Sequence, residues 1–300
     1  MKSKNAIALL ITLIFIIAIT ASIGLGFKYI KESSKEVVAE NFIYQSKVSV
    51  DDILTILKKL PELENISKDS FTSFLEKAKD IPFKTLNLDI HIQIQSARSR
   101  FNINNLINNN KIINQKTTNA LREYFSKNMI NNDYVDILLD NMAGVSKDNS
   151  YNSDIFNQEP YLFRDYIASK KHLLKINNFY KKTYHDNNLK NINFNKLFYF
   201  SDRRDLTIDL NHANIQTWEM ILGVDVSRAQ QLYLASGSYA KLDDLKLSIE
   251  EKEALSRFKI SFFEPIIEVT IQMTQNNEYS KVRFEYNIKN KKGSNFTYDI

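Results

Sequence analysis

Leu86-Asn87-Leu88-Asp89-Ile90-His91-Ile92-Gln93-Ile94-Gln95 alternates aliphatic and polar residues without a break. Successive side chains of a strand point to opposite faces, so this run predicts a strand with one face buried and one polar. The pattern returns near the end of the chain. Ile267, Val269, Ile271 and Met273 alternate with Glu268, Thr270 and Gln272, and Val282, Phe284, Tyr286 and Ile288 alternate with Arg283, Glu285 and Asn287. Gln275-Asn276-Asn277-Glu278 between these runs is a turn signal, so the two read as a hairpin. About 170 residues separate the first strand from the hairpin, too many for a loop, and they carry helical apolar periods broken by Asn-rich turns. The fold class is therefore α+β: a small antiparallel sheet split in sequence by a large inserted all-α domain.

Toward the amino terminus the period changes. From Lys31 to Leu60, Val38, Phe42, Val48, Ile53, Ile56, Leu57 and Leu60 recur at helical spacing until Pro61 stops the run, which predicts an amphipathic helix packed on its own domain. Before it, no charged residue occurs between Lys4 and Lys28, and residues 7–27 are almost wholly apolar. At about 1.5 Å per residue they make about 30 Å of helix, enough to span a bilayer. The run is longer than the apolar core of a cleaved secretory signal, although the small residues from Thr20 to Gly24 leave conventional cleavage as an alternative. Lys2 and Lys4 on one flank are balanced by Lys28, Lys31 and Lys35 on the other, so charge does not fix the orientation, and a plain signal anchor carrying any exported domain is a second alternative. The organisation expected is a transmembrane helix over 7–27, an amphipathic helix and first part of the core over 28–96, the inserted domain over 97–262 and the closing hairpin over 263–300.

Composition bounds the chemistry. The 300 residues are 43% hydrophobic and 25% charged, sufficient for a real core, and 40 basic against 35 acidic residues give a net charge of +5 that is interspersed along the chain and does not require a nucleic-acid partner. With no cysteine, disulfide frameworks, CxxC redox sites and thiolate metal sites are excluded.

The start of the chain carries a resemblance. Ala6-Ile7-Ala8-Leu9-Leu10-Ile11-Thr12-Leu13, after the short basic leader Met1-Lys2-Ser3-Lys4-Asn5, resembles a prepilin start, in which the leader (residues 1–6) is removed after a small residue; the cut maps between Ala6 and Ile7. Most prepilins place Glu at the fifth mature position. Here it is Ile11, and an apolar residue there resembles the general secretion pathway protein K family, the large minor pseudopilins of type II secretion. A buried carboxylate in a membrane helix costs roughly 2.5–3.5 kcal/mol unless paired, and in ordinary pseudopilins the family account pairs it with the amine of the subunit added before. A subunit without it suits the filament tip. Two internal stretches support the resemblance: Ser96–Leu106, with Arg98 and Arg100 in place of the usual acidic and glycine character and Asn102, Asn104 and Asn105 read as helix-capping residues, and Ile208–Leu245.

The resemblance implies a pilin-like core and a chain that caps the pseudopilus tip and helps initiate its assembly for protein export across the outer membrane. It implies processing by prepilin peptidase, a single span in the bacterial inner membrane and a soluble domain in the periplasm. Partners would be the other minor pseudopilins, the major pseudopilin and the inner-membrane secretion assembly. No catalytic role is implied.

Residues 208–245 also resemble a helix-hairpin-helix unit, with Trp218, Ile221, Leu222 and Leu232 as its packing and Gly223-Val224-Asp225 as its hairpin. The DNA-binding version carries a second Gly where Asp225 stands, and a carboxylate repels the phosphate whose neutralisation dominates affinity. Nucleic acid is thus an unfavoured partner, although a membrane-tethered DNA-uptake protein is the alternative function. Asp133, Asp136, Asp140, Asp148, Asp154 and Glu159 cluster loosely without an EF-hand spacing. The resembled family has an Asp-x-x-Asp and Glu stretch here, with calcium in some members. Asp140 matches its start while Ala143 stands at the second Asp, leaving Asp140, Asp148, Asp154 and Glu159 as candidate ligands of calcium. His91, His172, His185 and His212 lack zinc-site spacing, and no nucleophile elbow, Walker loop or dinucleotide fingerprint occurs, so the chain is expected not to be an enzyme.

Overall fold

The structure is a computed structural model that describes residues 44, 47–84, 89–145, 150–275 and 278–299. The leader, the 7–27 run, Ile11, Leu86, Leu88 and Asp148 lie outside the described residues. The first described helix, α1 (residues 47–59), ends ahead of Pro61, which opens a 3-10 turn over Pro61–Leu63. Helix α2 (Lys68–Lys77) begins at a reciprocal cap in which the Ser67 hydroxyl accepts from Ser70 N and the Ser70 hydroxyl accepts from Ser67 N.

Five antiparallel strands form one sheet in the order β1 (Ile81–Lys84), β2 (Asp89–Ser96), β7 (Ile266–Gln275), β8 (Glu278–Asn287) and β9 (Lys292–Asp299). Ile94 faces Val269, which faces Phe284, and Ile92 faces Ile271, which faces Val282, so one face of the sheet is a continuous apolar surface. Val50 and Leu57 of α1 and Phe71 of α2 close over it as one core. The expected α1 face is corrected at two positions, since Val48 and Ile56 are exposed and Val50 takes the core site instead. Two edge strands escape the alternation pattern. In β1 all four residues are exposed and Pro82 sits on the edge, where a missing N–H costs no ladder bond. The β9 strand offers Gly293, Ser294, Asn295 and Thr297 where a buried strand would offer aliphatics.

Between β2 and β7 the chain builds a helical lobe from α3 (Gln115–Lys127), α4 (Asp133–Asp140), α5 (Ile155–Gln158), α6 (Lys170–Tyr184), α7 (Phe194–Leu197), α8 (Ile215–Leu222), α9 (Val226–Leu234) and α10 (Ile249–Leu255). Most of these helices start where an Asn, Ser or Asp side chain accepts an orphan backbone N–H: Asn114, Ser169, Asn193, Asn214, Asp225 and Ser248. Two short parallel pairs, β3 (Phe101–Asn102) with β4 (Phe198–Tyr199) and β5 (Ile208–Asp209) with β6 (Ile260–Ser261), tie the lobe's ends together. Its core is separate from that of the sheet and is aromatic: Phe125, Tyr134, Tyr180, Phe198 and Trp218 are buried in one cluster.

Candidate functional site

The alternation of β7 and β8 assigns Glu268 and Glu285 to a polar face, yet both are buried, each only 3% exposed. They stand directly opposite each other across the β7–β8 ladder. Two like charges so placed repel. The helical lobe supplies the neutralisation. Arg98 Nη2 lies 2.7 Å from Glu285 Oε2 and Arg100 Nη2 lies 2.7 Å from Glu268 Oε1, while Arg283 of β8 reaches Glu268 Oε2 at 3.4 Å. Gln95 Nε2 and Asn295 Nδ2 donate the remaining bonds, and the three guanidinium groups stand 5.2–5.7 Å from the Tyr199 ring centroid. Burial pushes the Glu268 carboxyl up, but Arg100 and Arg283 outweigh it and hold it below its ordinary value. On the opposite side of the molecule's junction, Phe71 meets the His212 ring edge-on at 5.1 Å, and Lys68 Nζ donates to Ser238 O and Tyr239 O.

The three asparagines read as caps do different work. Asn104 is fully buried, accepts from Ile167 N at 2.8 Å and donates to Ile167 O and Ser201 O at 3.1 and 2.8 Å. Asn102 accepts from Ser201 N and donates to Arg203 O, and Asn105 accepts from Leu206 N and donates to Leu206 O. Each side-chain amide acts as a surrogate strand partner for the loop over residues 201–206, or for Ile167. This departs from helix capping, because the turn after Asn102 has no side-chain cap.

In the hairpin, Gly223 ends α8 in the left-handed region at φ 65°, ψ 24°, and Lys127 Nζ donates to its carbonyl. Asp225 caps α9 by accepting from Arg228 N at 2.8 Å, so the amide that would greet a phosphate already carries a carboxylate. Arg228 itself is held by Glu251. An L-residue in the left-handed region is strained, the more so when β-branched, so Gly223→Val is expected to lower stability by about 1–2 kcal/mol with the sheet lobe intact. A Cβ there has room, meeting Lys127 Nζ at 3.5 Å, so the effect isolates backbone strain. Urea titration followed by Trp218 fluorescence reads it.

Asp140 is buried with both oxygens occupied. Oδ1 accepts from Asn152 N and Nδ2, and Oδ2 from Ser153 N and Oγ, all within 2.7–2.9 Å. It pins the segment after residue 149 onto α4. Asp154 accepts from Gln158 Nε2 at the start of α5, and among the described residues no three His, Asp or Glu side chains stand together as a metal site.

Two histidines couple the lobe to pH. His172 Nδ1 accepts from Ala168 N, so Nε2 carries the proton toward Asn141 Oδ1, and a second ring proton has no acceptor. His212 Nε2 is buried and has no hydrogen-bond partner among the described residues. Burial pushes both rings down to about 4, with Lys175 adding to the effect at His172. A base depressed in the folded state holds its full contribution above the unfolded value near 6.5 and loses it as pH falls through 4. Asp209, pushed up to about 6 by burial, runs oppositely, gaining stability as pH falls below 6. Two histidines outweigh one carboxyl, so stability at pH 5 is expected to be roughly 2 kcal/mol below that at pH 7.5, and His212→Phe to remove a large part of the difference. Unchanged midpoints between the two pH values contradict this assignment.

Among solved structures the chain is similar to one chain of the GspK-GspI-GspJ complex from the type 2 secretion system of enterotoxigenic Escherichia coli, with a TM-score of 0.50 and 10% sequence identity, over 88% of this chain and 96% of that one. The likeness is one of fold. The shared architecture is a mixed helix and sheet chain with an antiparallel sheet, as described above. No model of a known protein family matches the sequence, and no curated protein matches it.

Proposed function

We propose that the chain is a minor pseudopilin that works by assembly and not by catalysis, capping a type II secretion pseudopilus and helping to start it. The observation that carries this reading is the sheet interrupted by a helical lobe, a fold like that of a chain in a complex named for three secretion components, GspK, GspI and GspJ. The uncharged 7–27 run, and Ile11 where ordinary prepilins place Glu, support a membrane anchor suited to a subunit with nothing above it. On this reading a single span holds the chain in the bacterial inner membrane, the described residues face the periplasm, and the partners are other minor pseudopilins, the major pseudopilin and the inner-membrane secretion assembly. The titratable groups fit a structural role: the carboxylates of Asp140, Asp209 and Glu268 are all committed to internal bonds. The alternative, tethered DNA uptake through the hairpin, is disfavoured by the Asp225 cap.

The first test is chemical. In cells with prepilin peptidase the chain should lose six residues and begin at Ile7, because the small Ala6 precedes an uncharged apolar run. Mass spectrometry of the mature amino terminus reads the outcome, and an intact Met1 or a start between Ser22 and Leu25 sinks the prepilin assignment.

A further inference from the structure

Positive charge is not spread evenly over the helical lobe. Residues 169–197, which contain α6 and α7, hold Lys170, Lys171, Lys175, Lys181, Lys182, Lys190 and Lys196 against the single acid Asp186, whereas the whole chain is nearly balanced at 40 to 35. Asp186 offsets only one of the seven, and its carboxylate is turned toward the Tyr180 hydroxyl and Asn188 N, from which it accepts. Of the seven lysines, only Lys171 makes an ion pair among the described residues, with Asp299. Into this surface opens a groove of about 390 Å³ between α6 and α7, lined by Lys170, Leu174 and Asn177 on one wall and Lys190, Ile192 and Phe194 on the other. Helical spacing puts Lys170, Leu174, Asn177 and Lys181 on one face of α6. Leu174 is 54% exposed there, an aliphatic residue among like charges with no packing role in the lobe's core.

We propose that this groove docks an acidic peptide segment of a protein partner, with an apolar side chain seated on Leu174 and Phe194 and carboxylates reaching Lys170 and Lys190. Charge decides the sign of the occupant, because a field of one sign in a concave site concentrates the opposite charge. The floor decides its class. A nucleic-acid backbone would engage the lysines and leave Leu174 and Phe194 unused, whereas this apolar floor, with Phe194 stacked on Phe198 at 5.8 Å, suits a peptide side chain. The volume falls in the range of sites that enclose a few side chains. The docking site is independent of leader processing and of the filament role, so it stands or falls separately from them.

Fluorescence anisotropy of the full-length chain in detergent micelles, with a fluorescein-labelled peptide of sequence EDLFDE, tests the proposal. Saturable binding is expected, weakened at least about tenfold by Lys170→Glu with Lys190→Glu, by Leu174→Ser, and by replacing the two apolar residues of the peptide with serine. An unlabelled dT12 oligonucleotide should compete poorly at moderate salt. All substituted positions are on the surface of the lobe, and circular dichroism melts confirm that the variants fold. Absence of saturable binding overturns the proposal. So does equal binding of the serine peptide or of dT12 that Leu174→Ser leaves unchanged, since that is the behaviour of an undifferentiated basic patch.

Discussion

Arg98→Met is expected to destabilise the chain by about 3–5 kcal/mol, the cost of leaving a buried carboxylate without its counter-charge. Glu285 would then face Glu268 across the ladder with Arg100 and Arg283 both engaged at Glu268, so nothing nearby could take over. The loss should be conditional. Arg98→Met combined with Glu285→Met removes both charges and the cross-strand repulsion, and should restore most of the stability, because a buried ion pair is often no better than apolar residues of similar volume. Urea unfolding of the two single variants and the double variant gives the coupling energy. A single-variant cost below about 1 kcal/mol, within the range of exposed pairs, would mean that the junction is wet and that the sheet and the helical lobe are not locked through it.

Asn104→Ala should cost about 3 kcal/mol or more by a different mechanism. Among the described residues its amide is the sole side-chain partner of Ile167 N and O, and it also bonds Ser201 O, all away from water, so truncation orphans a buried donor and weakens two acceptors at once. Asn105→Ala, at a half-buried position where water can replace the lost bonds to Leu206, should cost about 1 kcal/mol. Thermal melts rank the two. Equal effects would contradict the view that Asn104 stitches two distant loops while Asn105 only trims one.

The contrast between these two sites and the strands shows what was legible in the sequence. Ile90, Ile92 and Ile94, and the β7 and β8 runs, declare themselves because a buried face with a period of two leaves a pattern in apolarity alone. Edge strands leave none: the Ile81–Lys84 strand is exposed throughout and β9 is half polar on both faces, so their pairing is dictated by neighbours already in place. The polar face was legible in composition but not in burial. Glu268, Arg283 and Glu285 have the same letters whether they face water or the Arg98–Arg100 loop, and only contact across 168 and 187 residues of sequence decides it. One signal pointed there, the arginines that replace acidic and glycine character in the Ser96–Leu106 stretch, since a loop that gains two cations after a strand needs anions to receive them. Gly223 and Asp225 sit where cap chemistry is local, at the end of α8 and the start of α9. The Asp140 carboxylate is spent on Asn152 and Ser153, bonds that no ligand spacing describes.

The central claim is that the chain serves protein export as an assembled subunit, and the quantity of exported protein in the culture medium of a strain lacking it tests that claim most directly. The account predicts that extracellular protein falls steeply, is restored by the intact chain, and is not restored by a chain in which Ala6 is replaced so that the leader stays on. Undiminished export, with DNA uptake falling instead, would contradict it and transfer the role to the hairpin.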